Sequence, residues 1–442
     1  MFALRAFGDS SQVEHARAIA LVRALQEIAV AVLFAATYLA VAIGRFPGSH
    51  LDRSGAAMAG AALMVAIGAL SLGQARDSVD FNTLILLLGM MIVVAHLRLS
   101  GFFAAINDLI VGRAHRPLTL LIFIVAVTGV LSAFLVNDAV CLVLTPLVIE
   151  LVMRLDLDPA PYLLAVPMAS NIGGVATLTG NPQNMIIGSL SHIPYVIFAG
   201  ALTPAAVAGL MILVAAIAIA YRSEFFSGRR LSAELIPRAV SPAVSIGTNV
   251  TGHELLNLPL IYKSLTVSVG TIIAFFCGVT PSLAAIVAGA ILLIIGRVGS
   301  EDIYRKVDWT LLLMFAGLFV VVAGMEHTLL SPRVVSAILG LQLERPAVLA
   351  TVTAVLSNLV SNVPAVLVLK PFVASLHDPQ RGWLVVAMAA TLAGNFTLLG
   401  SVANLIVVQI ARTDGITLSF WDYSKIGAPL TIITIVLGVL WL

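Results

Sequence analysis

The chain predicts an all-α polytopic membrane protein built from two inverted repeats, each with a re-entrant hairpin and a broken helix. Three observations predict it. First, 60% of the 442 residues are apolar and only 10% are charged, and the mean hydropathy is +1.07. A soluble domain carries about 45–50% apolar and about 25% charged residues. Second, charge-free runs such as Ile28–Gly44 and Leu84–Ala95 suit helices crossing a hydrocarbon core of about 30 Å. Third, polar residues recur in the same order in both halves. The ten-residue alternating segments and aromatic girdles of a membrane β-barrel do not occur.

Ten spans are expected. In the first half they lie near 27–44, 54–73, 81–97, 160–188 and 195–221, with a hairpin at 117–155. In the second they lie near 260–278, 282–297, 309–325, 383–409 and 426–442, with a hairpin at 345–377. The organisation is therefore an N-terminal interfacial segment (1–25), a first repeat (26–221), a cytoplasmic connector (222–259) and a second repeat (260–442). The first 24 residues are polar and amphipathic, so no cleavable signal peptide is expected.

Constant offsets carry the repeat. Val79, Asp80 and Gly89 return as Val307, Asp308 and Gly317 at a spacing of 228. Thr128, Leu131, Ser132, Asn137 and Pro146 return as Thr353, Leu356, Ser357, Asn362 and Pro371 at a spacing of 225. Gly174, Thr177, Gly180 and Asn184 return as Gly394, Thr397, Gly400 and Asn404 at a spacing of 220. Chance apolar similarity would not align Asn, Pro, Gly and Thr in order, so the halves arose by duplication. Five spans per half is odd, which turns the second half upside down. Paired interruptions in inverted halves point to a transport site.

Orientation follows from Lys and Arg, which collect on the cytoplasmic side. With the connector inside the cell, sixteen lie inside and only Arg76, Arg333, Arg345 and Arg381 in outer loops. The tail carrying Arg5, Arg17 and Arg23 then falls outside, against the rule, and reads as an interfacial helix. The expected location is the cell inner membrane.

The first hairpin tip reads Val136-Asn137-Asp138-Ala139 and the second Ser361-Asn362-Val363-Pro364. At membrane depth, non-helical backbone is tolerated only where protein or a water-filled cavity surrounds it. The arm after each tip begins at these residues, so its free N–H groups face whatever sits there. As plain helix caps Asn, Asp and Ser need no further role. Recurrence mid-hairpin in both halves favours binding. An ionisable group inside the membrane is a functional candidate by default. Asp138, whose mate is Val363, is the proton-coupling candidate, because a carboxyl in a low dielectric can load and release a proton.

The second element reads Ser170-Asn171-Ile172-Gly173-Gly174, then Thr177-Leu178-Thr179-Gly180-Asn181-Pro182-Gln183-Asn184. Its mate runs Gly394-Asn395-Phe396-Thr397, then Gly400-Ser401-Val402-Ala403-Asn404. Glycines with Asn-Pro interrupt a helix, so both spans should be discontinuous. Close packing through small residues explains Gly173 and Gly174, but not the clustered Asn, Gln and Thr. The candidate binding residues are Asn137, Asn171, Thr177, Thr179, Gly180, Asn181, Asn184, Ser361, Asn362, Thr397, Gly400, Ser401 and Asn404. Lys370, eight residues past Asn362, joins Asp138 as a coupling candidate. It could neutralise that acid, attract an anion, or snorkel to the interface. Glu150 and Arg154 are four apart and read as a local ion pair. Asp80 and Asp308 read as helix starts.

At these residues the chain resembles the ion transporter superfamily, on the arsenite efflux permease and NhaD-type antiporter branch. That superfamily also holds the melanosomal P protein and divalent anion/sodium symporters. The carrying segments are Val136–Ala139, Ala169–Gly174, Gly180–Asn184, Ser361-Asn362 and Gly400–Asn404. The resemblance implies a dimer-forming scaffold domain and an elevator-like transport domain, and leaves a separate ATPase subunit open. The symporters' Ser-Asn-Thr tips are replaced by Asn-Asp-Ala and Ser-Asn-Val, which weakens a carboxylate substrate and a two-sodium mechanism.

The expected function is secondary transport: proton-coupled efflux of arsenite or antimonite, with a small anion or dicarboxylate permease or a sodium/proton antiporter as alternatives. Arsenous acid is an uncharged triol at neutral pH, which amides, hydroxyls and backbone groups can bind. Two cysteines, Cys141 and Cys277, exclude capture by three thiolates, although Cys141 could assist. No Gly-x-Ser-x-Gly or zinc-spaced histidines suggest an enzyme, and no Gly-x-x-x-x-Gly-Lys loop suggests a nucleotide-driven pump. No cofactor, metal site or nucleic-acid partner is expected.

Overall fold

The structure, a computed structural model, describes residues 3–44, 51–228, 231, 257–330, 340 and 342–442. Most of the connector therefore lies outside the described residues, as do Arg5, Arg17 and Arg23 as side chains. All described regular structure is helical. Among the described residues, seven helices are long and apolar enough to cross a membrane, by length and composition.

The chain forms two compact units. One comprises Met1–Asp80, Trp309–Leu341 and Lys370–Ala374. It contains α1 (Ala3–Ile43), α2 (Arg53–Ala66), α3 (Leu72–Ser78) and α15 (Trp309–Leu329). Helix α1 runs without interruption through the segment expected to be interfacial. Helix α2 holds 14 residues, fewer than the span expected at 54–73. Asp52 caps it by accepting from Gly55 N at 2.7 Å. Helices α2 and α15 approach so closely at Gly317 that a Cβ there would lie 2.6 Å from the Ala57 carbonyl carbon.

The other unit comprises Phe81–Asp308, Gln342–Leu369 and Ser375–Leu442. Its first-half helices are α4 (Phe81–Leu99), α5 (Phe102–Arg113), α6 (Pro117–Phe134), α7 (Asn137–Arg154), α8 (Pro159–Gly174), α9 (Pro182–Ser191), α10 (Tyr195–Ala220) and α11 (Arg222–Phe225). From the second half come α12 (Leu258–Phe276), α13 (Pro281–Ile295), α14 (Ser300–Tyr304), α16 (Pro346–Val360), α17 (Asn362–Val373, whose last turn belongs to the first unit), α18 (Pro379–Ala393), α19 (Val402–Thr413) and α20 (Phe420–Trp441). The expected hairpins are α6–α7 and α16–α17. The expected broken spans are α8–α9 and α18–α19. Pro117, Pro159, Pro182, Pro281, Pro346 and Pro379 each occupy the first turn of a helix, where a missing N–H costs nothing and φ is already helical.

Packing reproduces the repeat. A Cβ on Gly89 of α4 would lie 2.5 Å from the backbone of Ala285 on α13. Gly317 meets Ala57 in the same manner within its own unit, and both pairs are offset by 228. Thus each half lends a helix to a partner from the other half, at a glycine–alanine crossing. Without a hydrophobic drive between helices in lipid, small residues let backbones approach and gain dispersion contacts. The Glu150–Arg154 ion pair forms as expected, on a partly exposed stretch of α7.

Candidate functional site

The two helix breaks share one local design. Helix α8 stops at Gly174, and Asn181 caps α9 by accepting from Asn184 N at 2.8 Å. The Asn184 amide nitrogen donates to Gly174 O and Thr177 O, both at 3.0 Å. In the second half Asn404 donates to Gly394 O at 2.7 Å and Thr397 O at 3.0 Å, while Ser401 caps α19. Each asparagine thus satisfies carbonyls that the break frees, which buried backbone requires. Gly180 and Gly400 pass so close to Gly174 O and Gly394 O that a Cβ would lie 2.4 and 2.9 Å from them.

The breaks are joined through fully buried side chains. Asn171 Oδ1 accepts from Asn137 Nδ2 at 3.1 Å and from Ser401 Oγ at 3.2 Å. Its Nδ2 donates to Asn395 Oδ1 at 2.8 Å and Asn404 Oδ1 at 3.2 Å. Reciprocally, Asn181 Nδ2 donates to Thr391 Oγ1 at 3.2 Å, joined by Gln183 Nε2 at 3.1 Å. Ser401 is the repeat mate of Asn181, and Thr391 the mate of Asn171. The cap of each broken span therefore donates into the other half's first segment.

The first hairpin tip belongs to this centre. Asn137 N donates to Gly180 O at 3.0 Å, Ser170 Oγ to Asn137 O at 3.0 Å, and Ser132 bonds Ser170 at 2.8 Å. Thr177 Oγ1 donates to Ala133 O. The hydroxyls of Thr177 and Thr179 continue to Tyr195 OH, whose ring stacks on Phe275.

The structure thus gathers Asn137, Ser401 and Asn404 around Asn171, and joins Asn181 to Thr391 beside it, with Thr177, Thr179, Gly180, Asn184, Gly400 and the Thr397 carbonyl shaping the breaks. Thr177 and Thr179 spend their hydroxyls on fixing the fold. Asn362 is buried, yet neither it nor Ser361 bonds into the network. Asp138 sits half-buried in the first turn of α7. Lys370 is half-buried and pairs with Glu326 of α15 at 3.2 Å, a partner that sequence reading missed. Thr391 and Tyr195 were missed, while Asn395, Gln183, Ser132 and Ser170 stood in the motifs and the repeat without being named as candidates. Extending the 220-residue offset from Asn171 finds Thr391. Tyr195 carries no such signal.

Chemically the centre is neutral and rich in acceptors. Asn137 Oδ1 and Asn184 Oδ1 are buried there without a partner, as is Asn362 Oδ1 outside the network, and buried polar atoms rarely stay so. Among the described residues, none of its hydrogen bonds involves Lys, Arg or His.

A family model described as citrate transporter matches residues 31–393. The silicon efflux transporter LSI3 of rice (Oryza sativa subsp. japonica) is 29% identical, over 92% of this chain and 96% of its own. A putative transporter arsB of Dictyostelium discoideum is 25% identical, over 88% and 87%. Among solved structures, the YdaH transporter of Alcanivorax borkumensis superposes with a TM-score of 0.56 at 14% identity, covering 95% of this chain and 98% of that one. That likeness shows the fold. With its all-helical fold and a match over most of its length, this chain belongs to the citrate transporter family CitMHS of the ion transporter superfamily, and it is a multi-pass membrane transporter rather than an enzyme.

Proposed function

We propose that the protein exports small uncharged metalloid hydroxides, arsenite or antimonite first among them, against protons across the cell inner membrane. The supporting observation is the chemistry of the centre. Amide and hydroxyl groups surround it, and unpartnered acceptors at Asn137 and Asn184 are what a triol's O–H donors would satisfy. A carboxylate would instead leave those acceptors facing lone pairs, a cost of about 1–3 kcal/mol per buried unpaired group. The lysine that could hold an anion is engaged by Glu326. The named activity of the rice relative, silicon efflux, and the name of the Dictyostelium one fit hydroxylated, uncharged cargo. Asp138 carries the coupled proton. A dimer and an elevator-like movement belong to the same proposal.

The test is arsenite accumulation in cells lacking their own efflux system, with and without the protein, at two external pH values. Lower accumulation that follows the proton gradient and disappears in Asp138→Asn supports the reading. Coupled export retained in Asp138→Asn removes that residue's role. The family description favours a second reading, a citrate or other small-anion permease whose charge is held by the N-termini of α7 and α17. Unchanged arsenite with gradient-driven citrate uptake would select it.

A further inference from the structure

The two hairpins occupy matching places in the repeat but are held very differently. At the first tip, Val136 has relaxed backbone angles of φ −59° and ψ 122°. Its mate Ser361 stands at φ 79° and ψ 159°, a region open essentially to glycine alone, whose strained residues cluster at active sites, ligand clamps and switch regions. The first tip is sewn down by Asn137 N to Gly180 O, Asn137 Nδ2 to Asn171 Oδ1, Ser170 to Asn137 O and Thr177 to Ala133 O. Among the described residues, none of these four bonds recurs between the repeat mates at the second tip. Part of the reason lies in sequence, since the mate of Ser170 is Ala390, which has no hydroxyl. The first arm of the second hairpin is held by Ser357 Oγ to Ala390 O at 3.3 Å and Asn358 Nδ2 to Ala393 O at 3.1 Å, and the far end of its second arm by the Lys370–Glu326 pair. Between them Asn362 Oδ1 is buried and unpartnered.

We propose that the hairpins do different jobs: the first is a fixed wall carrying Asn137 and Asp138, and the second, hinged at Ser361, is the gate that moves to admit cargo. A tip strained at Ser361 opens at lower cost, because opening relaxes Ser361 and lets Asn362 find a partner. A tip closed by four bonds on relaxed backbone does not. The assignment rests on the chain being a transporter and is independent of which cargo it carries.

Hydrogen–deuterium exchange of the full-length protein in lipid nanodiscs, without substrate, tests it directly. The backbone amides of 361–366 should exchange at least about tenfold faster than those of 136–141, the difference expected from the missing bonds. Equal or slower exchange at the second tip overturns the proposal. Two variants separate strain from side-chain chemistry. Ser361→Gly accepts the strained angles freely and so favours the closed tip, giving several-fold slower exchange there and slower turnover. Ser361→Ala keeps the Cβ and hence the strain, and should exchange like the parent protein. Any other order of the three overturns the hinge. Because the exchange needs no cargo, a failed arsenite assay leaves this result standing.

Discussion

Replacing Asn171 by alanine removes one side chain and orphans four polar groups at once. Asn171 is fully buried, and its amide bonds Asn137, Ser401, Asn395 and Asn404 at 2.8–3.2 Å. A single net hydrogen bond contributes about 0.5–1.5 kcal/mol, and leaving a buried partner unsatisfied costs about 1–3 kcal/mol. Asn395 and Asn404 keep bonds through their other amide atoms, to Met168 O and to Gly394 O, so not every partner loses everything. The expected loss is therefore about 4 kcal/mol, near the upper end for point substitutions. On the unfolding entropy per residue of globular proteins, that corresponds to a fall in Tm of roughly 4–6 °C. The assay is thermal unfolding of the purified protein in detergent, with Asn358→Ala as comparison. Asn358 bonds Ala354 O of its own helix and Ala393 O, and its removal should cost about 1 kcal/mol. In a double-mutant cycle, Asn171→Ala and Asn395→Ala should depart from additivity by at least about 0.5 kcal/mol. Equal Tm for the two single variants, or strict additivity in the cycle, would refute the view of Asn171 as the hub joining the two breaks.

Three further outcomes can be measured. Gly317→Ala puts a Cβ 2.6 Å from the Ala57 backbone. It should destabilise by about 1–3 kcal/mol, seen as a lower Tm, whereas Gly270→Ala meets nothing within 4 Å and should leave Tm unchanged. Lys370→Met breaks a half-exposed ion pair with Glu326 worth about 0–1 kcal/mol, so export should persist; loss of export with Tm intact would restore Lys370 as a transport group. Tyr195→Phe removes the end of the hydroxyl chain through Thr179 and Thr177. It should cost about 1 kcal/mol and be non-additive with Thr179→Val in unfolding measurements.

Much of the architecture was legible in the residue order because its causes are local. Long apolar runs make membrane helices, and glycine, which has no side chain, followed by a capping Asn-Pro or Ser marks where they break. Duplication left the same local chemistry at fixed offsets, which located both hairpins and both breaks. Candidate polar residues stood out against an apolar background for the same reason. Partnership did not. Asn171 meets Asn395 and Asn404 across more than 220 residues, and only the packing of α8 against the second break sets that distance. Tyr195 reaches Thr179 because α10 returns beside the first break, and Lys370 meets Glu326 because α15 lies beside the end of α17. The offset of 225 made the hairpin tips look equivalent, yet the backbone at Ser361 and Val136 differs. Sequence by itself thus determined which groups are polar and where helices stop, since those depend on neighbours in the chain. Tertiary structure decided which donor meets which acceptor, because a hydrogen bond is satisfied by distance in space and residue order does not encode that distance.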